Sequence, residues 1–264
     1  MKISSSFAKT LAMAGFIGVA AVTTQAQSVI SWSYDVYGFT LATGNNGGQW
    51  VPNTTAGVVP ADHWNDVWNE NGTQWPNPAR TVNNLWDNAG NNSGVSLTYQ
   101  ANDTWQINTS HKGIDADGTY NRELLNGYVD SGSPSSSTIA ISAIPYSIYN
   151  LIVYISSDTA GRAGTVNVGS DTYYFTTMGP AATSGANALF TQITDTTGSS
   201  PTANANYVIF SGLTGSSETI TSLVTGGGGI AGFQVVATPE PSSMALAVMG
   251  GFGVLLMKRR FKKS

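Results

Sequence analysis

The strongest strand signal in this chain of 264 residues is the stretch Tyr149-Asn150-Leu151-Ile152-Val153-Tyr154-Ile155. Most of its residues are β-branched or aromatic, the types that pack well on a pleated and half-buried surface. The run is short and almost continuously apolar, which is typical of a strand that is buried on both faces. The stretch therefore predicts a central strand of a β-sheet.

Further strand-like segments lie on both sides of this run, and turn residues separate many of them. The turn Gly169-Ser170-Asp171, with its two flanking segments, predicts a hairpin. Helix is scarce, since only residues 60–68 are expected to form a turn or two, beginning at Pro60. The pattern predicts an all-β protein, an antiparallel β-sandwich of the jelly-roll kind. The other predicted strands are 96–100, 138–142, 164–168, 172–176, 206–210, 218–224 and 230–236.

The composition excludes several classes of protein. The chain has no cysteine, so it has neither disulfides nor a Cys-ligated zinc or iron–sulfur site. Charged residues make up 10% of the chain, against about 25% in an average domain, and Ser, Thr, Asn and Gly supply the remaining polarity. This composition suits short strands joined by turns and argues against a coiled coil or a long-helix bundle.

The first 26 residues have the pattern of a signal peptide. Lys2 and Lys9 precede an apolar run, residues 11–22, and the small residues Thr24 and Ala26 follow it. This order is typical of secretory signals, and it predicts export with cleavage between Ala26 and Gln27.

The last residues form a second tripartite pattern. Pro239-Glu240-Pro241 is followed by the apolar stretch 244–257 and by the basic tail 258–263. Fourteen apolar residues rise about 21 Å as a helix, which is short of the roughly 30 Å hydrocarbon core, although flanking serines and snorkelling basic side chains extend their reach. The positive tail should keep the C-terminus in the cytoplasm and leave the preceding chain outside.

Residues 238–264 resemble the PEP-CTERM sorting signal of Gram-negative bacteria, because the three parts occur in the same order at the extreme C-terminus. The resemblance implies that an exosortase in the inner membrane cuts near Pro239-Glu240-Pro241 and passes the protein to the cell surface or the extracellular matrix. The alternative is a permanent anchor with a single transmembrane helix.

Without its two ends, the chain is strongly acidic. Residues 27–238 contain 14 acids and four bases, a formal charge of −10. Because nucleic acids and anionic lipids are bound chiefly by Lys and Arg, this body is not expected to bind nucleic acid.

The body, residues 27–237, also has a weaker resemblance, to uncharacterised exported proteins of Planctomycetes and Verrucomicrobia. Those proteins have a galactose-binding-like sandwich, and no activity comes with the resemblance. It rests on the segments Gly57–Asn65, Leu124–Asp130, Tyr149–Tyr154, Asn206–Gly215 and Gly229–Val236.

All seven tryptophans lie between residues 32 and 105. Trp64, Trp68, Trp75 and Trp86 stand in a region rich in Asn and Asp, where flat rings could stack on sugars while polar side chains bind the hydroxyls. The alternative is that the rings cap and fill the sandwich core, since aromatic side chains dominate cores. The first interpretation makes these four residues a candidate glycan-binding site.

Catalytic patterns are poor, and we expect a protein that is not an enzyme. The chain has two histidines, His63 and His111, and no Gly-x-Ser-x-Gly elbow. Paired carboxylates could serve glycoside hydrolysis, although acidic pairs in loops are commonly solvated turn formers. The candidate pairs are Asp62 with Asp66, Asp115 with Asp117, and Glu123 with Asp130.

One segment, Asp115-Ala116-Asp117-Gly118-Thr119, has a weak similarity to a calcium loop. Its glycine is at the fourth position, whereas an EF-hand needs it at the sixth, so an ordinary Asp-Gly turn is the alternative. No other cofactor is expected. The expected partners are signal peptidase and exosortase during processing and an extracellular polysaccharide afterwards. A purely structural surface protein and an acidic-pair glycoside hydrolase are the other two functions that the sequence leaves open.

Overall fold

The computed structural model describes residues 27–34, 48–49, 55–66, 79–107, 114–132 and 135–238. The predicted signal peptide and the sorting signal from Pro239 onward lie outside the described residues. The described elements are fifteen strands and two one-turn helices. They are β1 (Val29–Ser33), β2 (Gly48–Gln49), β3 (Asn65–Asp66), β4 (Ala79–Val82), β5 (Ser96–Gln100), β6 (Asp103–Gln106), α1 (Asn121–Leu124), β7 (Gly127–Asp130), β8 (Ser137–Ser142), β9 (Tyr149–Ser156), β10 (Ala163–Val168), β11 (Asp171–Thr177), α2 (Ala181–Ser184), β12 (Thr202–Ala205), β13 (Tyr207–Leu213), β14 (Ser217–Val224) and β15 (Gly229–Ala237).

The strands form two sheets with a shared core, which confirms the predicted all-β sandwich. The first sheet has the order β13-β9-β15-β1-β3-β2, with β7 joined to β15 and β6 joined to β7. The second has the order β12-β11-β10-β14-β8-β5-β4. Most neighbouring strands are antiparallel, but β1 with β3 and β11 with β12 are parallel. Both sheets are therefore mixed, whereas the sequence predicted an antiparallel arrangement.

Strand β9 is central, as the sequence predicted. It lies between β13 and β15, and all but one of its residues are buried. Leu151 and Val153 face the core between the sheets, while Ile152 and Tyr154 belong to a second apolar cluster on the outer face of the first sheet. The continuous apolar run reflects these two buried faces.

The layer on the outer face of the first sheet is fixed by a buried polar side chain, Gln234 of β15. Its Nε2 donates to the carbonyl oxygen of Val59 (2.7 Å), and its Oε1 accepts from the Tyr154 hydroxyl (2.5 Å). Buried polar groups stabilise a fold when they are paired in this way. The segment around Val59 is thereby held against the sheet.

The predicted helix at residues 60–68 is wrong over its described part. Ala56 and Ala61 pair through two backbone hydrogen bonds (3.1 and 3.0 Å), and Asn65 is in strand β3. The Trp64 indole donates to the carbonyl oxygens of both alanines (3.2 and 3.1 Å). This side-chain bridge stabilises a tight loop at the place where the local pattern favoured a helical turn.

The two ends of the body meet in the structure. Gln27 Nε2 donates to the carbonyl oxygen of Ala237 (2.6 Å), and the Ala237 N–H donates to the carbonyl oxygen of Ser28 (2.9 Å). Within the described ranges, no helix is both long and apolar enough to span a bilayer. The apolar stretch 244–257 is not among those residues.

Candidate functional site

Trp64 is part of the core and not of an exposed platform. Its side chain is 0% exposed, and its ring packs against Tyr154 with the centroids 6.0 Å apart. The indole N–H is used by the two carbonyl groups described above. Trp64 is therefore removed from the candidate glycan-binding set.

Trp86, in contrast, is 43% exposed and stands on a fixed backbone. The side-chain amide of buried Asn65 donates to the Trp86 carbonyl oxygen (2.9 Å) and accepts from the Trp86 N–H (2.8 Å). The next residue, Asp87, accepts the N–H groups of Ala89 and Asn91 (3.0 and 2.8 Å) and closes the following turn. The Trp86 ring is accessible to a ligand, and the Trp86 backbone is held by two hydrogen bonds to the Asn65 side chain.

The other two members of the predicted set, Trp68 and Trp75, lie outside the described residues. A further exposed ring that the sequence did not single out is Trp105, which is 42% exposed on β6. The sequence feature that could have identified it is the run Asp103-Thr104-Trp105-Gln106, in which accessible and buried residues alternate in the structure. Four residues are too short a run for that pattern to stand out from a loop.

Strands β6 and β7 form a two-stranded ribbon at the margin of the first sheet. Trp105 lies opposite Tyr128, and Asp103 lies opposite Asp130. Because side chains alternate along a strand, these four residues share one face of the ribbon. An exposed ring and two carboxyl groups are thus brought together by pairing between strands.

Because Asp103 lies directly opposite Asp130, their carboxyl groups are placed so that one of them, when protonated, can donate a hydrogen bond to the other. Burial, followed by this hydrogen bond and by the charge of Asp130, raises the pKa of Asp103 to about 7. When two carboxyl groups lie side by side, the charge of one disfavours ionisation of the other, so the pair holds a shared proton to a higher pH than an isolated aspartate does. Asp130 Oδ1 also accepts the N–H groups of Gly228 (2.7 Å) and Gly132 (3.2 Å), so Asp130 is the acceptor of the pair.

The predicted acidic pairs have other surroundings. Asp62 accepts a hydrogen bond from the Thr55 hydroxyl (2.6 Å), while Asp66 and Glu123 are buried in β3 and α1. Asp130 has its carboxyl partner in Asp103 of β6, and the sequence had paired it with Glu123. The spacing along the chain could not reveal this partner, because it depends on the register of a ribbon.

The calcium-like segment forms an Asp-Gly turn closed by an arginine. Gly118 has a φ of +86°, and its N–H donates to the Asp115 carbonyl oxygen (2.9 Å). The buried Asp115 carboxylate forms an ion pair with Arg122 Nε and accepts from the Thr119 hydroxyl (3.0 Å). Hydrogen bonds from Thr119 also hold the pKa of the exposed Asp117 below its usual value. The oxygens proposed for a cation are occupied by these donors, which fits the turn interpretation.

The described part of the chain holds no group of three or more histidine or acidic side chains placed to bind a metal ion. Of the two histidines, His63 places Nδ1 2.9 Å from the Asn88 carbonyl oxygen, and His111 lies outside the described residues. A depression lined by Ser156, Met178 and Asn206 does not admit a water-sized sphere. The best candidates for binding are therefore the exposed rings on the surface.

Comparison with known proteins gives no match, whether to family models, to curated proteins or to solved structures.

Proposed function

We propose that this protein is exported to the surface or extracellular matrix of a Gram-negative bacterium, where it binds or organises polysaccharide without catalysis. The proposal that it binds polysaccharide rests on the exposed Trp105, which lies on the same face of the ribbon as the Asp103–Asp130 pair. A flat ring packs on the apolar face of a sugar ring, and neighbouring carboxyl groups accept hydrogen bonds from its hydroxyls. Trp86, held by Asn65, is a second ring of the same kind.

The choice of a non-catalytic role is supported by the geometry of the acidic pair. Glycosidases hold their two carboxyl groups about 5–5.5 Å apart when they retain configuration and about 6.5–9.5 Å apart when they invert it. The Asp103 and Asp130 carboxyl groups lie opposite each other within reach of a direct hydrogen bond, which is closer than either arrangement. A hydrolase acting through this pair is disfavoured, and a purely structural surface protein remains the second candidate.

The negative charge of residues 27–238 favours a neutral ligand over an anionic one. Residues 27–238 carry a formal charge of −10, which repels anionic polymers at low ionic strength. We also propose that the sandwich is a galactose-binding-like jelly roll, because segments of residues 27–237 resemble exported proteins with that fold.

Binding can be tested with Trp105→Ala in affinity electrophoresis against neutral polysaccharides, including the polymer of the host. We expect an affinity loss of about tenfold, because truncating an exposed aromatic contact at a binding centre costs roughly 1–2 kcal/mol. Trp105→Phe keeps a flat ring and should retain most of the affinity, while Leu189→Ala removes an exposed apolar side chain elsewhere. Equal affinities for all of these proteins, or no retention of the wild type, would favour the structural candidate.

Delivery can be tested by mass spectrometry of the protein recovered from the cell surface and the medium of its host. We expect a mature N-terminus at Gln27 and a new C-terminus between Pro239 and Ser242, since those are the predicted processing sites. Changing Pro239-Glu240-Pro241 to three alanines should leave the tail uncut. Recovery of the wild type with its tail intact to Ser264 would support the permanent anchor instead.

A further inference from the structure

The β6–β7 ribbon is attached to the first sheet at few points. Among the described strands, β6 pairs with β7 alone, and β7 reaches β15 through two residue pairs, Asp130 with Gly229 and Val129 with Ile230. Short strands at the margin of a sheet are among the parts of a fold that open locally at the lowest cost in free energy. Contacts between the two strands therefore determine whether β6 stays in place.

The Asp103–Asp130 pair is one of these contacts, and only one of its members can be ionised without a penalty. A negative charge on Asp130 is stabilised, because its Oδ1 accepts hydrogen bonds from two backbone N–H groups. Asp103 Oδ1 is buried, and among the described residues no N–H or O–H group outside the pair donates to it. A charge on Asp103 would lie beside the charge of Asp130 with no donor directed at it, and an unpaired buried charge is costly.

Among the described residues, the other ionisable groups on the elements packed around the pair do not supply that donor. Arg162, between β9 and β10, donates through Nη1 to Asp158 (2.5 Å), to the Gly227 carbonyl oxygen (2.6 Å) and to the Ser157 hydroxyl (3.2 Å). The Tyr128 hydroxyl accepts the Asp158 N–H (3.3 Å). Its pKa is raised, first by burial and then by the charges of Asp158 and Asp130, so it stays neutral. Nη1 of Arg162 is thus occupied by Asp158, Gly227 and Ser157.

We propose that Asp103 and Asp130 form a proton-dependent latch that holds β6, with its exposed Trp105, against β7 and the sheet. With the proton present, the pair bridges the two strands by a hydrogen bond. When the proton leaves, two adjacent carboxylates repel each other across the ribbon, and β6 opens locally. The orientation of Trp105 then depends on pH, which adds a form of regulation to the binding site.

The sign of the effect follows from linkage. The pKa of Asp103 is raised in the closed ribbon, to about 7, and should return towards its ordinary value of 3.8 when the ribbon opens. The closed form therefore binds more protons, and it loses stability as the pH rises through this interval and up to about 7. The contribution of the latch is complete below about pH 3.8, decreases through mildly acidic solution and is lost above about pH 7.

Amide hydrogen exchange, corrected for its intrinsic dependence on pH, tests this in the mature protein. Between about pH 5.5 and about pH 8.5 we expect protection at residues 103–106 to fall by about tenfold, a value reduced to allow for solvent screening of the pair. Asp103→Asn removes the titration, so its protection should stay nearly constant. Asp130→Asn is a second variant with the same expectation, and Asp171→Asn, in the β10–β11 turn, should behave as the wild type.

The latch is overturned if wild-type protection at residues 103–106 does not change with pH. It is also overturned if Asp103→Asn and Asp130→Asn lose as much protection with pH as the wild type does. Loss of protection in β9 over the same pH range would overturn it as well, because the opening would then not be local. Only the role of Trp105 rests on the proposed function. The exchange measurement contains no polysaccharide, so failure of the latch and failure of glycan binding give different results. If both proposals hold, the Trp105-dependent affinity should fall by a similar factor over the same pH interval in the wild type and stay level in Asp103→Asn.

Discussion

Trp32→Ala is expected to lower the free energy of unfolding by about 4 kcal/mol, within the range measured for Trp or Phe truncation in cores. Trp32 is 0% exposed in β1 and lies in the core between the two sheets. Its ring stacks on Phe233 of β15 (centroids 5.8 Å apart) and lies 6.3 Å from Tyr99 of the second sheet. Truncation would leave a cavity at the point where the two sheets meet. Urea denaturation followed by circular dichroism measures the loss.

Trp32→Phe is the matched control, and it separates packing from hydrogen bonding. The Trp32 indole N–H is buried and has no hydrogen-bond partner in the part of the chain that the structure describes. Phenylalanine therefore removes no hydrogen bond, and it relieves an unpaired donor while leaving a smaller void. We expect a cost of about 1 kcal/mol, well below that of alanine. Similar costs for the two variants would contradict the assignment of this side chain to packing.

The strands that could be predicted are those with a continuous apolar run or with a clear alternation of apolar residues. The run at 149–155 became β9, and the hairpin signal around Gly169 became β10 and β11. The continuous apolar run of β9 is buried on both faces of its sheet, whereas burial alternates along β10, so in both segments the local pattern carries the information. The last strand, β15, was predicted from the mostly apolar segment 230–236, and every residue of the strand but its last is buried.

The elements that could not be predicted owe their conformation to partners far along the chain. Strand β3 has two residues and exists because Asn65 pairs with Trp32 of β1. Strand β7 carries Asp130 at its end, and its burial comes from lying between β15 and β6. Local propensity cannot identify such segments, because their hydrogen bonds are supplied by strands about 30 to 100 residues away.

The candidate site was predicted only in part for the same physical reason. The tryptophan-rich region contains the exposed Trp86, but composition could not separate it from Trp64, whose indole satisfies two carbonyl groups in the core. Trp105 and the Asp103–Asp130 pair depend on ribbon register, which fixes the residues that share a face. A register shift of one residue would place Asp103 on the opposite face from Asp130.

Gly229→Ala is expected to detach this ribbon and to cost about 3 kcal/mol, the upper part of the range for overpacking. A Cβ atom at Gly229 would lie 1.9 Å from the carbonyl oxygen of Val129. That atom belongs to the backbone of β7, so no side-chain rotation relieves the clash, and β7 must move away from β15. Because β6 is held through β7, amide protection should be lost in both strands, and the pH dependence at residues 103–106 should disappear with it.

Gly212→Ala is the control for the backbone effect of adding a methyl group. Gly212 has a φ of +71°, and nothing lies within 4 Å of the position of its Cβ. Its cost should be the strain of a left-handed alanine, about 1 kcal/mol, with the ribbon still protected. Hydrogen exchange and urea denaturation of the two variants distinguish strain from steric exclusion. If Gly229→Ala were as mild as Gly212→Ala, the contact between β15 and β7 would not be what attaches the ribbon, and the latch would have no fixed strand to act against.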